Sequence, residues 1–350
     1  MDEQNGFGLV NEPPGANTAS VSVFLGAGAS LPEQYIVPAY RSWFDDQYNV
    51  ILANVSIKNQ GSKPSCVGQS TGYQKGAAEG VPMSARDIYR RAKRLDGSGD
   101  PTSYGTSLSA GQDAVILGTA EERLVPEIAS MGLAEYVSVD DVTNEVSINR
   151  SERRGESTYF VPRTLLQQTL LETELPVVTS TMWYEADNRI DGSGMMGLPQ
   201  GDAIAGHAIA CIGWVKRQGQ TCLVFINSWG QWWGHHGLFF LPLAYINRLG
   251  NGYVGVDMKP KLAELLKKYN GLNVKVKDDP RVYKIVGGEK RQYENEIVFW
   301  CFGNLFGHDV FDISKIDLAL IPKGAPMNIE EAPYETRELV RQIRQHYNLK

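Results

Sequence analysis

Cysteine is scarce in this chain. Four thiols, Cys66, Cys211, Cys222 and Cys301, are spread over 350 residues, which excludes a disulfide-built scaffold. No Cys-x-x-Cys pair occurs, and the five histidines do not fall at zinc-ligand spacing from the thiols. His235-His236 is an adjacent pair that reads as a solvated turn, so no metal site is expected. Long apolar runs are missing too. No stretch of about 18 apolar residues exists, which excludes a membrane-spanning helix. Charge of one sign is not in excess: a net charge of −6 argues against a nucleic-acid or anionic-membrane surface. The opening "MDEQNGFGLVNEPPGANTAS" lacks a basic segment followed by an apolar one, so no secretory signal peptide is expected. With so few cysteines, the chain is expected in the cytoplasm or in a virion.

What is there suits a folded protein: 42% apolar and 10% aromatic residues. A length of 350 predicts two domains, or one large domain with an appendage. Residues 1–30 read as an irregular arm with a short apolar patch at Val21–Leu25. Ser65 offers a helix N-cap, and the run that follows reads as a helix stopping at Gly80. Ser84 caps a second helix with Ala85, Ile88, Ala92 and Leu95 on one stripe. The run "RRAKR" at Arg90–Arg94 then reads as a solvated face. "TSLSAGQDAVILG" and "RTLLQQTLLETE" read as further helices. The texture changes at "GHAIACIGWV", "CLVFINSW" and "HGLFFLPL", apolar runs that predict neighbouring antiparallel strands. Helices from one stretch and a sheet from the next predict two lobes with a cleft between them.

A second shift follows Val256. Residues 258–326 read as a small α+β domain, opening with a helix in "KPKLAELLKKYNG" and carrying a Gly287-Gly288 hairpin turn. Residues 327–350 read as an amphipathic helix with Leu339, Ile343 and Tyr347 four apart. This domain or its tail helix is the expected place for a partner.

The chemistry centres on "NQGSKPSC". A thiol attacks a carbonyl well as a thiolate, and a helix N-terminus beside an imidazole favours that form. Alone, a cysteine after a loop is usually a small buried hydrophobe. Cys66, however, sits where the helix should begin. A base must take its proton, a third group must orient the base, and a donor must meet the developing oxyanion. His207 stands near the start of one apolar strand and Asn227 at the end of the next. A hairpin turning at Lys216–Gln218 would set them directly opposite each other. The same register turns Cys211 and Cys222 to opposite faces, so no disulfide between them is expected. Trp229 is placed to cover the His–Asn pair.

These residues carry a resemblance. "NQGSKPSC", "GHAIACIGW" and "NSWGQWWGHHG" resemble, in order, the three signature blocks of papain-like cysteine peptidases. The resemblance covers about residues 31–257. It implies an α+β fold of two lobes, one helical and one of antiparallel strands, with a cleft between them and a small C-terminal α+β domain beyond. It implies that Cys66 is the nucleophile, His207 its acid/base partner and Asn227 the orienting group. Gln60 would donate to the oxyanion with the Cys66 amide. Trp229 would shield the pair and Trp233 would line the primed side of the cleft. A protein or peptide substrate is implied, with no cofactor.

Departures are visible. Val67 stands where the family usually has a tryptophan. Lys63 replaces a disulfide cysteine, and Pro64 a glycine. The family's substrate-binding Cys-x-Gly-Gly block is absent, and Gly105 and Thr106 of "SYGTSLSAG" occupy that part of the chain. Gly206 completes the expected substrate-binding set. The pattern is similar to disulfide-poor bacterial and phage branches. The arm at 1–30 is expected in or near the cleft, restraining activity. Alternatives remain at this stage: a cell-wall peptide hydrolase, or a virion or envelope component that keeps the fold as a scaffold.

Overall fold

The computed structural model describes residues 31–44, 48, 56–128, 130–155, 157–256, 265–277, 279–305, 308–314, 317–318 and 321–346, with Leu9, Ala19 and Ser20. Val21–Leu25 and the start of the helix expected from Lys259 lie outside these residues. The chain divides into two compact units, Met1–Asp257 and Met258–Lys350.

In the first unit, three helices follow the caps. Helix α2, Cys66–Glu79, comes after the short α1, Pro38–Arg41. It ends at Gly80, whose left-handed backbone lets its N–H close on the Gly76 carbonyl. Ser65 is the N-cap residue, but its hydroxyl makes no capping bond and instead accepts from Gln69 Nε2 at 3.2 Å. Ser84 and Ser107 do cap α3, Ala85–Leu95, and α4, Leu108–Ile116, through the amides of Asp87 and Ala110. Gly68 permits the close packing of α2 on α3: a Cβ there would lie 2.4 Å from the Ala85 carbonyl oxygen.

The expected solvated face of α3 is a correction. Arg86, Asp87, Arg90 and Lys93 are buried, while Leu95 of the expected apolar stripe is exposed. The reason is pairing: Asp87 bonds Arg90 and Arg150, and Arg90 and Arg86 both reach Asp141. Charges neutralised in this way can leave water, and a helix with neighbours on several sides needs no single apolar stripe.

The sheet of this unit runs β1 (Ala19–Ser20), β3 (Ser157–Val161), β8 (Gly252–Val256), β4 (Val177–Tyr184), β5 (Ala203–Arg217), β6 (Gln220–Ile226) and β7 (Leu238–Pro242), with β2 (Tyr35–Ile36) also on β5. Every pairing among these strands is antiparallel except that of β1 with β3. The arm is therefore not wholly irregular, since Ala19–Ser20 extends the sheet. Its strands enclose a core of Ile36, Ile209, Trp214, Phe225 and Phe239, with Leu166 and Leu170 of the helix Leu166–Thr173.

The β5–β6 register differs from the expected one. The turn lies at Gln218-Gly219, both with positive φ, and Cys211 pairs with Phe225. A bulge between Cys211 and Gly213 shifts the ladder, and the pairing stops at Ile226. Gly213 is required there because a side chain would meet the Tyr35 carbonyl oxygen at 2.1 Å.

The second unit has a four-stranded sheet in the order β11 (Glu289–Gln292), β10 (Tyr283–Val286), β9 (Asn273–Lys275) and β12 (Val310–Asp312). Val282, Tyr293, Val298, Phe299 and Met327 form its core. The tail helix spans Tyr334–His346 with Leu339 exposed; the Ile343 side chain and Tyr347 lie outside the described residues.

Candidate active site

Cys66 is the first residue of α2, so its backbone amide is one of those left without a partner inside the helix. Fourteen residues of aligned peptide dipole end at this thiol, and the positive end of that dipole favours a thiolate. Cys66 is buried in a cluster with Val67, Leu108, Val178, Ala208 and Tyr253. Ala208 adjoins His207 on β5, so the packing of α2 against this strand brings the two blocks together.

His207 is fully buried and its Nε2 lies 2.8 Å from Asn227 Oδ1. The two residues are not opposed in a ladder, as a turn at Lys216–Gln218 would have placed them. His207 pairs across to Thr181 of β4, and Asn227 follows the end of β6, where its amide bonds the Gly237 carbonyl. The side chains meet because Asn227 leaves the sheet and turns back. The Asn227 contact commits Nε2 of the ring. Burial pushes the imidazole down to about 4, and the bond from Asn227 opposes this.

Trp229 stacks on the His207 ring with centroids 4.9 Å apart. Trp233 meets Trp229 edge-on at 5.2 Å. Nothing in the spacing pointed to Trp183, which is fully buried on β4 and packs edge-on to both His207 and Trp229. It reaches them only because β4 pairs with β5, Trp183 opposite Ala205. Trp229 and Trp183 cover the imidazole and keep apolar surface against the His–Asn pair.

Gln60 is buried and doubly held. Its Nε2 donates to the Lys63 carbonyl at 2.8 Å, and its Oε1 accepts from the Ser228 hydroxyl. The Ser228 amide in turn donates to Asn227 Oδ1 at 2.8 Å. Ser228 thus joins Gln60 to the His–Asn pair. It stood inside a quoted block, but residue type alone did not distinguish it from a turn serine. Backbone bonds from Gln60 N to Ser228 O and from Gly230 N to Lys58 O stitch the two loops together.

The expected substrate-binding residues fall into two groups. Thr106 and Gly206 converge on Leu9. The Leu9 backbone bridges Thr106, and a Cβ on Gly206 would sit 3.2 Å from the Leu9 side chain. Leu9 also packs against the cluster that contains Cys66. The carbonyl of Gly105 is taken by Lys93 Nζ at 2.7 Å, so that acceptor already has a partner. Trp229 stacks on His207 and Trp233 meets Trp229, and Trp232 beside them in sequence is 91% exposed. Among the described residues no group of acidic, histidine or cysteine side chains is placed to hold a metal ion, and no helix is long and apolar enough to cross a membrane.

Comparison with known proteins is consistent with this geometry. Residues 135–253 match the model of the papain family of cysteine proteases, a span that contains His207 and Asn227 and begins after Cys66. Among solved structures, xylellain, a cysteine protease from Xylella fastidiosa, is similar with a TM-score of 0.57 and 17% identity, over 73% of this chain and 97% of that one. Procathepsin B from Trypanosoma congolense gives 0.56 at 18% identity, over 72% and 86%. Procathepsin L2 from the Tenebrio molitor midgut gives 0.53 at 19%, over 72% and 78%. No curated protein matches in sequence. The fold is that of these structures: helices and an antiparallel sheet in the papain arrangement.

Proposed function

We infer that this chain, a papain-family cysteine protease domain followed by a second compact unit, hydrolyses peptide bonds through Cys66. The observation that carries the reading is the linked set of His207, Asn227, Ser228 and Gln60 beside the N-terminus of the Cys66 helix.

In this reading the Cys66 sulfur passes its proton to His207 Nδ1 and attacks the peptide carbonyl. The oxyanion that forms is met by the Cys66 amide and by the second Nε2 hydrogen of Gln60. His207 returns the proton to the leaving amine, which departs and leaves a thioester. Water then attacks the thioester with His207 as base, releasing the acid and the thiol. Asn227 holds the imidazole through Nε2 in both steps. The reading is tested by peptide-library cleavage alongside titration with an epoxysuccinyl inhibitor. Cleavage with one equivalent bound supports it; an unreactive Cys66 favours the scaffold alternative and overturns it.

The pH dependence follows from the buried imidazole. Its lowered value, about 4, leaves the ring neutral near neutral pH and able to accept the thiol proton as a base. Peptide hydrolysis is expected to keep its kcat/KM from neutral pH down to about 4 and to fall below that, as the ring becomes protonated. An acid limb near the ordinary imidazole value of about 6.5 would show that burial does not hold His207 neutral.

We also propose that the arm restrains the site. The support is Leu9, bridged to Thr106 and packed against the cluster containing Cys66. Burial of half a leucine side chain stabilises such a closed form by roughly 1.5 kcal/mol. Leu9→Asp is therefore expected to raise kcat/KM on a short peptide about tenfold. Unchanged turnover and unchanged inhibitor labelling would sink the idea.

A further inference from the structure

We propose that Lys63 is a positioning residue for the oxyanion site, holding the Gln60 amide through a buried anchor formed by Tyr136 and Glu127. The inference rests on the peptidase reading above and concerns how its oxyanion donor is kept in place.

Lys63 lies between the two donors, three residues after Gln60 and three before Cys66. Its carbonyl accepts from Gln60 Nε2 and from the Ser65 amide, both at 2.8 Å, and its own amide donates to the Gln60 carbonyl at 3.1 Å. One residue therefore ties the glutamine side chain to the start of the nucleophile helix. The Gln60 amide group has two hydrogens, and the Lys63 carbonyl uses one. Ser228 holds the oxygen end, so the amide cannot flip and the second hydrogen has one direction.

The lysine side chain explains why this turn stays in place. It is only 6% exposed, unusual for an ammonium group. Its Nζ lies 5.5 Å from the centre of the fully buried Tyr136 ring, on helix α5, Leu133–Val137. Glu127 lies near Lys58 and Lys63. Burial pushes its carboxyl up, and the bond from Gln69 and the two ammonium groups pull it only partly back, so the net direction is upward. Glu127 also accepts from Gln69 Nε2 at 2.7 Å, and the same nitrogen reaches Ser65. Glu127 and Tyr136 come from a stretch of chain unrelated to the turn, so they anchor it from outside. A buried ammonium over an aromatic ring is costly to move, so the stem keeps the turn where it is.

The test uses the full-length chain and a peptide that the wild type cleaves. Lys63→Met keeps most of the stem and removes the charge; Lys63→Arg restores the charge. Lys63→Met should lower kcat roughly 10- to 30-fold with KM within about twofold, as partial loss of an oxyanion donor would. Alkylation of Cys66 by iodoacetamide, which develops no oxyanion, should stay within about twofold of wild type. Lys63→Arg should recover kcat to within about threefold. In a Gln60→Ala background, Lys63→Met should cost less than about twofold, because the group that it positions is gone. A full additive loss in that background, or a parallel fall in alkylation, would mean that the lysine only stabilises the fold and overturns the proposal. Peptide cleavage by wild type with an unaffected Lys63→Met overturns this proposal alone. No cleavage by wild type overturns the peptidase reading and this proposal with it.

Discussion

Cys66→Ala is expected to end peptide hydrolysis, with a loss in kcat of at least about 10⁴-fold. No other group in the site can form the thioester. What remains is the oxyanion site and His207, which can polarise a carbonyl but supply no nucleophile. Labelling by an epoxysuccinyl inhibitor should vanish together with turnover. The fold should survive, since the change removes one sulfur from a small apolar cluster. The controls are Cys211→Ala and Cys222→Ala. Burial pushes these two thiols up to about 12 and about 11, so they stay protonated near neutral pH and should contribute nothing to labelling. Active-site titration of the three variants side by side decides the matter. Residual peptidase activity in Cys66→Ala would sink the mechanism.

Asp87→Ala should be the most destabilising single change in the helical part, by roughly 3–5 kcal/mol. Asp87 is fully buried on α3. It accepts from Arg90 Nε at 2.8 Å, from Arg150 Nε at 3.0 Å and from the Ala120 amide at 2.8 Å. Burial pushes its carboxyl up, but the bonds from Arg150 and the charge of Arg90 outweigh this, and the net direction is downward. A depressed carboxylate stabilises the fold above its unfolded value near 3.9 and loses that contribution as pH falls through the folded one. Removing it at neutral pH leaves two guanidinium groups facing each other in a dry site. For a unit of this size the cost corresponds to a fall in Tm of roughly 8–15 °C. Thermal unfolding of the variant checks this. A loss under about 1 kcal/mol would show that water reaches the cluster and that the pairs do not hold the helices.

The contrast between these residues shows which features were legible. Cys66, His207 and Asn227 were visible because each stands in a short block whose chemistry is local: a helix start, a strand start and a strand end. The end of α2 and the start of α3 were visible for the same reason, since Gly80 and Ser84 act on backbone groups a few residues away. The burial of Arg90 and Lys93 was not. A basic run reads as solvated until its partners are known, and Asp141 and Gly105 lie far along the chain. The need for Gly213 beside the bulge was equally hidden, because Tyr35 approaches it from another strand.

By itself, the sequence determined the kinds of group present and their order: a thiol at a helix start, a histidine, an asparagine and a glutamine, with indoles between. Local hydrogen bonding and spacing suffice for that. Only the tertiary structure decided how they act together. The β5–β6 turn fell at Gln218-Gly219, the ladder ended at Ile226, and a backbone turn brought Asn227 to His207. The pairing of β4 with β5 set Trp183 against the imidazole, and α2 packing on β5 set Cys66 beside Ala208. The arm placed Leu9 against the same cluster. These placements depend on contacts between residues distant in sequence, whose burial and register are settled only when the whole unit packs.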